Sequence, residues 1–396
     1  MRITSLHILR ADGLWRPFSF LRIDTDKGLS GWSEFVEAPW SPGLAEVILA
    51  LGRNAVGQDP RAWAQLSARL RAITLFSAGG LSHQAVAAIQ NACLDITGKH
   101  HGVPVHALFG GARRQSVELY WSHCGSFRAR DPELFVNALG KPRLANAQDL
   151  VALGREAVDR GFRTVKTNPM VFGAQGPVLL NPGFATQGLA QERTLDERTL
   201  DAIVMQCANM SEGLGAGRDL MLDVNFSLTP AALRRLAGRL PSKGLRWLEA
   251  DVHAPEELAA VRAVSPLPIA SLESLHGRRA YLPWFKAAAV DVAIVDVPWN
   301  GLGEAVAIAL LAESFDINVA PHNFYGPLAD LMAAHFCAAV PNLEIMEIEA
   351  DDVPWKYQLL SRAPGIEGGR LQIPDAPGWG AEVDEAALRA HPWPRS

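Results

Sequence analysis

Three short apolar runs in the middle of the chain each end on a carboxylate, at nearly one interval. LMLDVN places Asp223, LRWLEAD places Glu249 and PIASLES places Glu273, so successive acids stand 26 and 24 residues apart. A gap of that size has room for one helix and its two loops. That rhythm is the period of a parallel βα barrel, which brings the C-terminal ends of all its strands to one rim. Two further runs extend the series. VDVAIVD ends at Asp296 and INVAPH at His322, again 26 apart, so these two side chains are expected to be neighbours on the rim that carries the acids.

The residue types say what such a rim can do. Three carboxylates held close repel one another unless a cation sits among them. An all-oxygen set of hard, anionic ligands selects Mg²⁺ over zinc or copper. An Asp beside a His fixes its tautomer and makes the imidazole a better base. The combination of Asp223, Glu249 and Glu273 around Mg²⁺ with an Asp296–His322 pair suits removal of a proton next to a carboxylate.

At 396 residues the chain exceeds what one hydrophobic core usually serves, so two domains are expected, one of barrel size. The net charge of −5 comes without any basic block, which argues against nucleic acid as a partner. No apolar run reaches the length of a membrane span. The opening MRITSLHILRADG lacks a signal-peptide core. Cys93, Cys124, Cys207 and Cys337 are far apart and form no CxxC, as expected of reduced thiols in a cytoplasmic protein.

Organisation follows the change of period. Residues 1 to about 35 alternate as strands, with a turn at Asp26, Lys27 and Gly28. From about 44 to 109 the period is helical, most clearly in QAVAAIQNACLDITGKHHG. This predicts a small α+β domain over 1–115. SVELYWSHCG reads as the first barrel strand, RGFRTVKTN as the second, closing with Lys166, and NLEIMEIE as the last, carrying Glu344 and Glu347. The barrel is therefore expected over 116–350. The segment 351–396, rich in Pro and Gly, is expected to pack back on the first domain. Residues 168–193 break the rhythm with a long Gly- and Pro-rich stretch, which is read as a substrate lid leaving the same rim.

Several of these segments together resemble one family. QAVAAIQNACLDITGKHHGVPVHALFGG, DVPWNGLGEA, PHNFYGPLADLMAAHFCAAVPN and DDVPWKYQL followed by PDAPGWG are similar to the enolase superfamily, in its mandelate racemase-like branch. The resemblance implies an α/β fold, a modified (β/α)7β TIM barrel with an N-terminal α+β capping domain completed by the C-terminal segment. It implies Mg²⁺ on Asp223, Glu249 and Glu273, His322 as general base with Asp296 as its partner, and Lys166 against a substrate carboxylate oxygen. Asn225 matches a position that binds the substrate α-hydroxyl, and Glu344 one that bonds its carboxylate. Trp15 and Arg16 fall in a loop that covers the site and reads the distal end of the substrate. A homo-oligomer is implied as well.

One departure decides the expected reaction. The branch normally ends its second strand in Lys-x-Lys, the second Lys being a base on the opposite substrate face. Here the residues are Lys166-Thr167-Asn168. Asn168 cannot take a proton at neutral pH, so it is expected to bind substrate instead. Racemisation needs two bases, whereas β-elimination of water can use one His in turn as base and acid. The expected function is therefore Mg²⁺-dependent dehydration of an aldonate or aldarate to a 2-keto-3-deoxy acid. The alternatives are an epimerase, racemase or lactone cycloisomerase of a hydroxy acid, and an inactive metal-binding barrel.

Overall fold

The computed structural model describes residues 1–173, 176–180, 195–241 and 244–393. Its first element is an antiparallel sheet of β1 (Ile3–Asp12), β2 (Pro17–Thr25) and β3 (Ser30–Phe35). Gly28 makes the β2–β3 turn at φ 75°, a conformation that costs glycine nothing. Helices α1 (Leu44–Gly52), α2 (Trp63–Ile73) and α3 (Gly80–His101) cover the sheet. α3 is buried from Gln84 to Gly98 because the sheet packs on one side of it and the barrel on the other. A Cβ at Gly31 would stand 2.2 Å from the Ala92 carbonyl oxygen, so only glycine lets β3 approach α3 this closely.

The barrel begins at β4 (Ser116–Ser122) and β5 (Thr164–Thr167), with α4 (Ser126–Arg130) and α5 (Asp149–Asp159) between them. A hairpin of β6 (Met170–Gly173) and β7 (Gly176–Leu179) then interrupts it. α6 (Glu197–Leu214) leads to β8 (Asp219–Asp223), and α7 (Pro230–Arg239) to β9 (Leu245–Glu249). After these come α8 (Pro255–Arg262), β10 (Ile269–Ser271), α9 (Arg278–Lys286) and β11 (Val292–Asp296). Last are α10 (Val297–Asn300), α11 (Leu302–Glu313), β12 (Asn318–His322), α12 (Pro327–Ala339) and β13 (Met346–Glu349).

The strands lie in the order β12-β11-β10-β9-β8-β5-β4, with β13 on the free side of β4, and a bridge from Val319 to Leu343 closes the ring. Every barrel pairing is parallel. Strands covered on both faces read as unbroken apolar runs, as VAIVD of β11 does, with all five residues buried. Tyr120, Met221, Trp247, Ala270, Ile294 and Ile345 fill the barrel interior. Register then aligns the chemistry: Asp223 pairs with Glu249, and Asp296 with His322.

Buried carboxylates clamp the sheet domain to the barrel and to the C-terminal segment. Glu34 on β3 accepts from the backbone N–H of Gly326, Leu328 and Ala329 at the start of α12, and burial pushes its pKa up to about 7. Asp95 on α3 accepts from the N–H groups of Trp32 and Trp379 and pairs with Lys99 at 2.7 Å. The chain returns through β14 (Ile366–Glu367) and β15 (Arg370–Gln372), which pairs antiparallel with the start of β4, and continues past α13 (Glu385–Ala390). Trp379 Nε1 donates to the Trp32 carbonyl, and Trp355 Nε1 to that of Asp12, so this segment lies against the N-terminal sheet. Among the described residues no helix is long and apolar enough to cross a membrane.

Candidate active site

The C-terminal strand ends surround a cavity of about 220 Å³. Lys166, Asp223, Asn225, Glu273 and His322 line it, together with His123 and the aromatic side chains of Trp40, Trp299 and Phe324. Of the residues expected to act, the structure brings Lys166, Asp223 and Glu249 together on one side of the cavity and Glu273, Asp296 and His322 together on another.

The histidine pair is tightly built. Asp296 ends β11, and its Oδ2 lies 2.7 Å from His322 Nδ1. Its Oδ1 accepts from the Trp299 N–H and so caps α10, which fixes the carboxylate against rotation. The Tyr325 hydroxyl donates to Asp296 Oδ2 as well. Tyr325 follows His322 by three residues and went unrecognised in the sequence. With Nδ1 engaged, His322 turns Nε2 toward Glu273, 3.4 Å away. Burial alone would lower the His322 pKa, but the charges of Glu273 and Asp296 raise it to about 10.

Lys166 is buried and contacts three acids. Its Nζ lies 2.9 Å from Glu347, 3.1 Å from Glu249 and 3.8 Å from Asp223. These neighbours outweigh desolvation and hold Lys166 well above the usual lysine range, so it is cationic. Glu347 in turn accepts from Ser122 Oγ and the Asn323 N–H. Burial raises its pKa, yet the charges of Lys166 and His322 bring it down to about 2.

Among the described residues, no three acidic, histidine or cysteine side chains converge closely enough to grip an ion as they stand. The expected ligands lean on protein cations instead: Glu249 and Asp223 on Lys166, and Glu273 on His322. Burial pushes all three carboxyls upward, to about 7 at Glu249, and neighbouring acids add to it. The donor set nevertheless fits a hard divalent ion. All the donors are carboxylate oxygens, and a fourth acid, Asp251, has Oδ2 buried without a hydrogen-bond partner among the described residues. Two links set the rim geometry. Asn225 donates its N–H and its side-chain amide to Asp223 Oδ1 at 2.9 and 2.7 Å. Asp251 Oδ1 accepts from Ser271 Oγ and from the N–H of Leu272, whose φ of 93° turns the chain into Glu273.

Four expected substrate contacts are placed elsewhere. Glu344 lies at the opposite end of the barrel, where it pairs with Arg246 at 2.8 Å and accepts from Asn318 at 2.7 Å. Those partners begin β9 and β12. Alternation explains the error: Ile345 faces the barrel interior, so Glu347 points inward and Glu344 outward. Arg16 is buried and donates to the carbonyls of Phe324 and Tyr325 and to Asp352, which braces the cavity wall from behind. Trp15 packs on Phe127 at 4.8 Å and does not line the cavity. Asn168 is buried off the cavity, and its amide donates to the Asp223 carbonyl at 3.1 Å, tying β5 to β8. The stretch read as an unbroken lid carries the β6–β7 hairpin in its first part; residues 181–193 lie outside the described residues.

A capped parallel barrel with this rim belongs to a known class of enzyme. Residues 13–110 match the model of the mandelate racemase / muconate lactonizing enzyme N-terminal domain, and residues 149–387 that of the enolase C-terminal domain-like family. The chain belongs to the mandelate racemase / muconate lactonizing enzyme family of the enolase superfamily. It is 29% identical over 386 residues to a D-galactarolactone cycloisomerase of Agrobacterium fabrum, covering 94% of this chain and 90% of that one. It is 26% identical over 399 residues to a D-xylonate dehydratase of Haloferax volcanii, covering 98% and 88%. A Burkholderia xenovorans protein named as a proposed L-alanine-DL-glutamate epimerase, solved with magnesium and fumarate, superposes with a TM-score of 0.93 at 38% identity, covering 98% of this chain and 96% of that one.

Proposed function

We propose that the protein is a Mg²⁺-dependent hydro-lyase that converts an acid sugar, an aldonate or aldarate, to a 2-keto-3-deoxy acid. The observation that carries this reading is that no base stands where the second strand of this branch carries its second lysine. An oriented His322–Asp296 pair borders the cavity, while the position that holds a second lysine in this branch is Asn168, turned away onto a backbone carbonyl. Names of relatives such as the D-xylonate dehydratase support the dehydration.

Asp223, Glu249 and Glu273 are the residues that would hold the cation, which would supply the positive charge that acidifies the α-carbon. A cation held by these acids would also offset the Glu273 charge, the largest influence raising the imidazole pKa. His322 Nε2 can then accept the α-proton, with Asp296 and Tyr325 holding the ring in place. Lys166 offers a fixed positive charge to a substrate carboxylate oxygen, where charge develops. That Asn225 lines the cavity next to Asp223 supports its reading as the residue that bonds the α-hydroxyl.

The test is a panel of acid sugars with Mg²⁺, reading 2-keto acid formation together with exchange of the α-proton in D₂O. Exchange with inversion and no 2-keto acid would overturn the lyase reading. The isomerase alternative would then lead, in line with the names of the Agrobacterium and Burkholderia relatives.

A further inference from the structure

The cavity is bordered by a second histidine bound to a carboxylate, which the one-base reading does not use. His123 follows β4 directly, and its Nδ1 lies 3.1 Å from Glu349 Oε2 and 3.1 Å from Ser122 Oγ. Glu349 is the last residue of β13, two positions beyond Glu347, so alternation points it inward as well. Both side chains are buried, and His123 lines the same cavity as His322. The two imidazoles reach that cavity from β4 and β12, with β13 between them. His123 also holds φ at 47°, a strained conformation for a residue with a side chain. Strain of this kind is held where surrounding structure enforces it, most often at functional sites. Phe127 stacks on one face of the ring at 4.6 Å and fixes its plane.

We infer that His123, oriented by Glu349, is the acid that protonates the departing β-hydroxyl, so that elimination divides between two histidines. This rests on the dehydratase reading above. The C2–H bond breaks first, and its proton goes to His322 Nε2. Its electron pair moves through the enediolate to form the C2–C3 double bond. The C3–O bond breaks with its own pair, and the oxygen takes a proton from His123 Nε2 and leaves as water. The enol product then ketonises, and solvent returns a proton to the His123–Glu349 pair while His322 gives up its own.

The charge state of the pair agrees with this use. Burial holds the His123 imidazole well below the ordinary histidine range, and burial with Asp351 nearby pushes the Glu349 carboxyl well above the ordinary carboxylate range. Both directions favour a neutral pair that shares its protons over an isolated imidazolium or carboxylate. Among the described residues, the charged and titratable groups that act on His123 include Glu349, Glu347, Lys166, His322 and Arg130, and those that act on Glu349 include His123, Asp351, Asp352 and Arg16.

The test separates the two proton transfers. His123→Gln and Glu349→Gln are assayed with Mg²⁺ on an acid sugar that the wild type dehydrates and on its 3-deoxy-3-fluoro analogue, whose fluoride leaves without needing a proton. Mg²⁺ binding and near-ultraviolet circular dichroism report on folding. The expected result for His123→Gln is a loss of roughly 10²-fold or more in water elimination. Alpha-proton exchange in D₂O should persist and fluoride elimination stay close to the wild-type rate. Glu349→Gln should lose less and shift the limb of the pH profile that reports the acid. Equal losses of exchange, water elimination and fluoride elimination would make His123 a structural residue and overturn the inference, as would unchanged water elimination in both variants. A wild type that exchanges α-protons but dehydrates no acid sugar would overturn the dehydratase reading and, with it, this one.

Discussion

The two rims of the barrel carry charge in opposite ways. At the N-terminal rim, acids lie beside arginines at the edge of solvent: Glu344 and Asp219 with Arg246, and Asp291 with Arg262. At the C-terminal rim Asp223, Glu249, Asp251, Glu273, Asp296, Glu347 and Glu349 are gathered around Lys166 and the two histidines. Pairs of the first kind stabilise a fold only weakly. A buried excess of one sign costs stability through desolvation and repulsion. A fold keeps such an excess where binding a cation or moving a proton requires it, and the contrast between the rims marks the reacting end without reference to any relative.

The largest effects should come from testing that excess directly. Glu249→Gln should reduce turnover by about three orders of magnitude or more, because a divalent cation contributes several kcal/mol to such a transition state. Without metal, the same variant should melt at or above the wild-type temperature, since one buried charge is gone. Mg²⁺ should raise the melting temperature of the wild type and not of the variant, as linkage requires. A Glu249→Gln protein that is both active and less stable would break the comparison.

The histidine pair comes next. His322→Asn should lose product formation beyond the ~10²–10⁴-fold credited to ordinary acid–base assistance. Asp296→Asn should be milder, because the imidazole remains and Tyr325 still reaches it at 3.0 Å. Steady-state rates of both variants under one set of conditions check the order; a reversed order would remove Asp296 from its orienting role.

The acid side of the stability profile sharpens the contrast further. Glu347 has a folded pKa of about 2 against an ordinary value of 4.5, which is the depressed case. Its contribution is present above about 4.5 and is lost as pH falls toward 2. Lys166 is the first charge responsible, so Lys166→Met should flatten the fall in stability over that window, measured by denaturant unfolding of metal-free protein. An unchanged slope would show that Lys166 does not hold Glu347 ionised.

The smallest effect belongs to the N-terminal rim. Glu344→Gln should leave kcat and KM unchanged and cost less than about 1 kcal/mol of stability, as a partly exposed ion pair does. Loss of activity there would return Glu344 to the substrate.

What the sequence revealed tracks what its spacing encodes. Asp223, Glu249, Glu273, Asp296 and His322 stood out because each ends an apolar run at the barrel period, and the register pairs Asp223 with Glu249 and Asp296 with His322. The choice between Glu344 and Glu347 was not legible in NLEIMEIE. Strands covered on both faces show no polar alternation, so nothing in the letters says which acid faces in. Arg16 was read as a substrate contact from the loop it shares with the family, and its acceptors, the carbonyls of Phe324 and Tyr325, were hidden because they are more than 300 positions away in the chain. His123 and Glu349 were hidden for a related reason: they meet only when the last strand closes against the first. The β6–β7 hairpin was missed because its short strands are set among glycines and prolines.

The proposed chemistry of this rim is removal of an α-proton from a hydroxy acid by a cation-dependent reaction at His322. Exchange of that proton for deuterium, followed by NMR over a panel of aldonates and aldarates, tests it most directly. Exchange is expected in the wild type with Mg²⁺, none after removal of the metal with EDTA, and none in His322→Asn with Mg²⁺ present. Exchange that continues without the metal, or that survives the loss of His322, would contradict it.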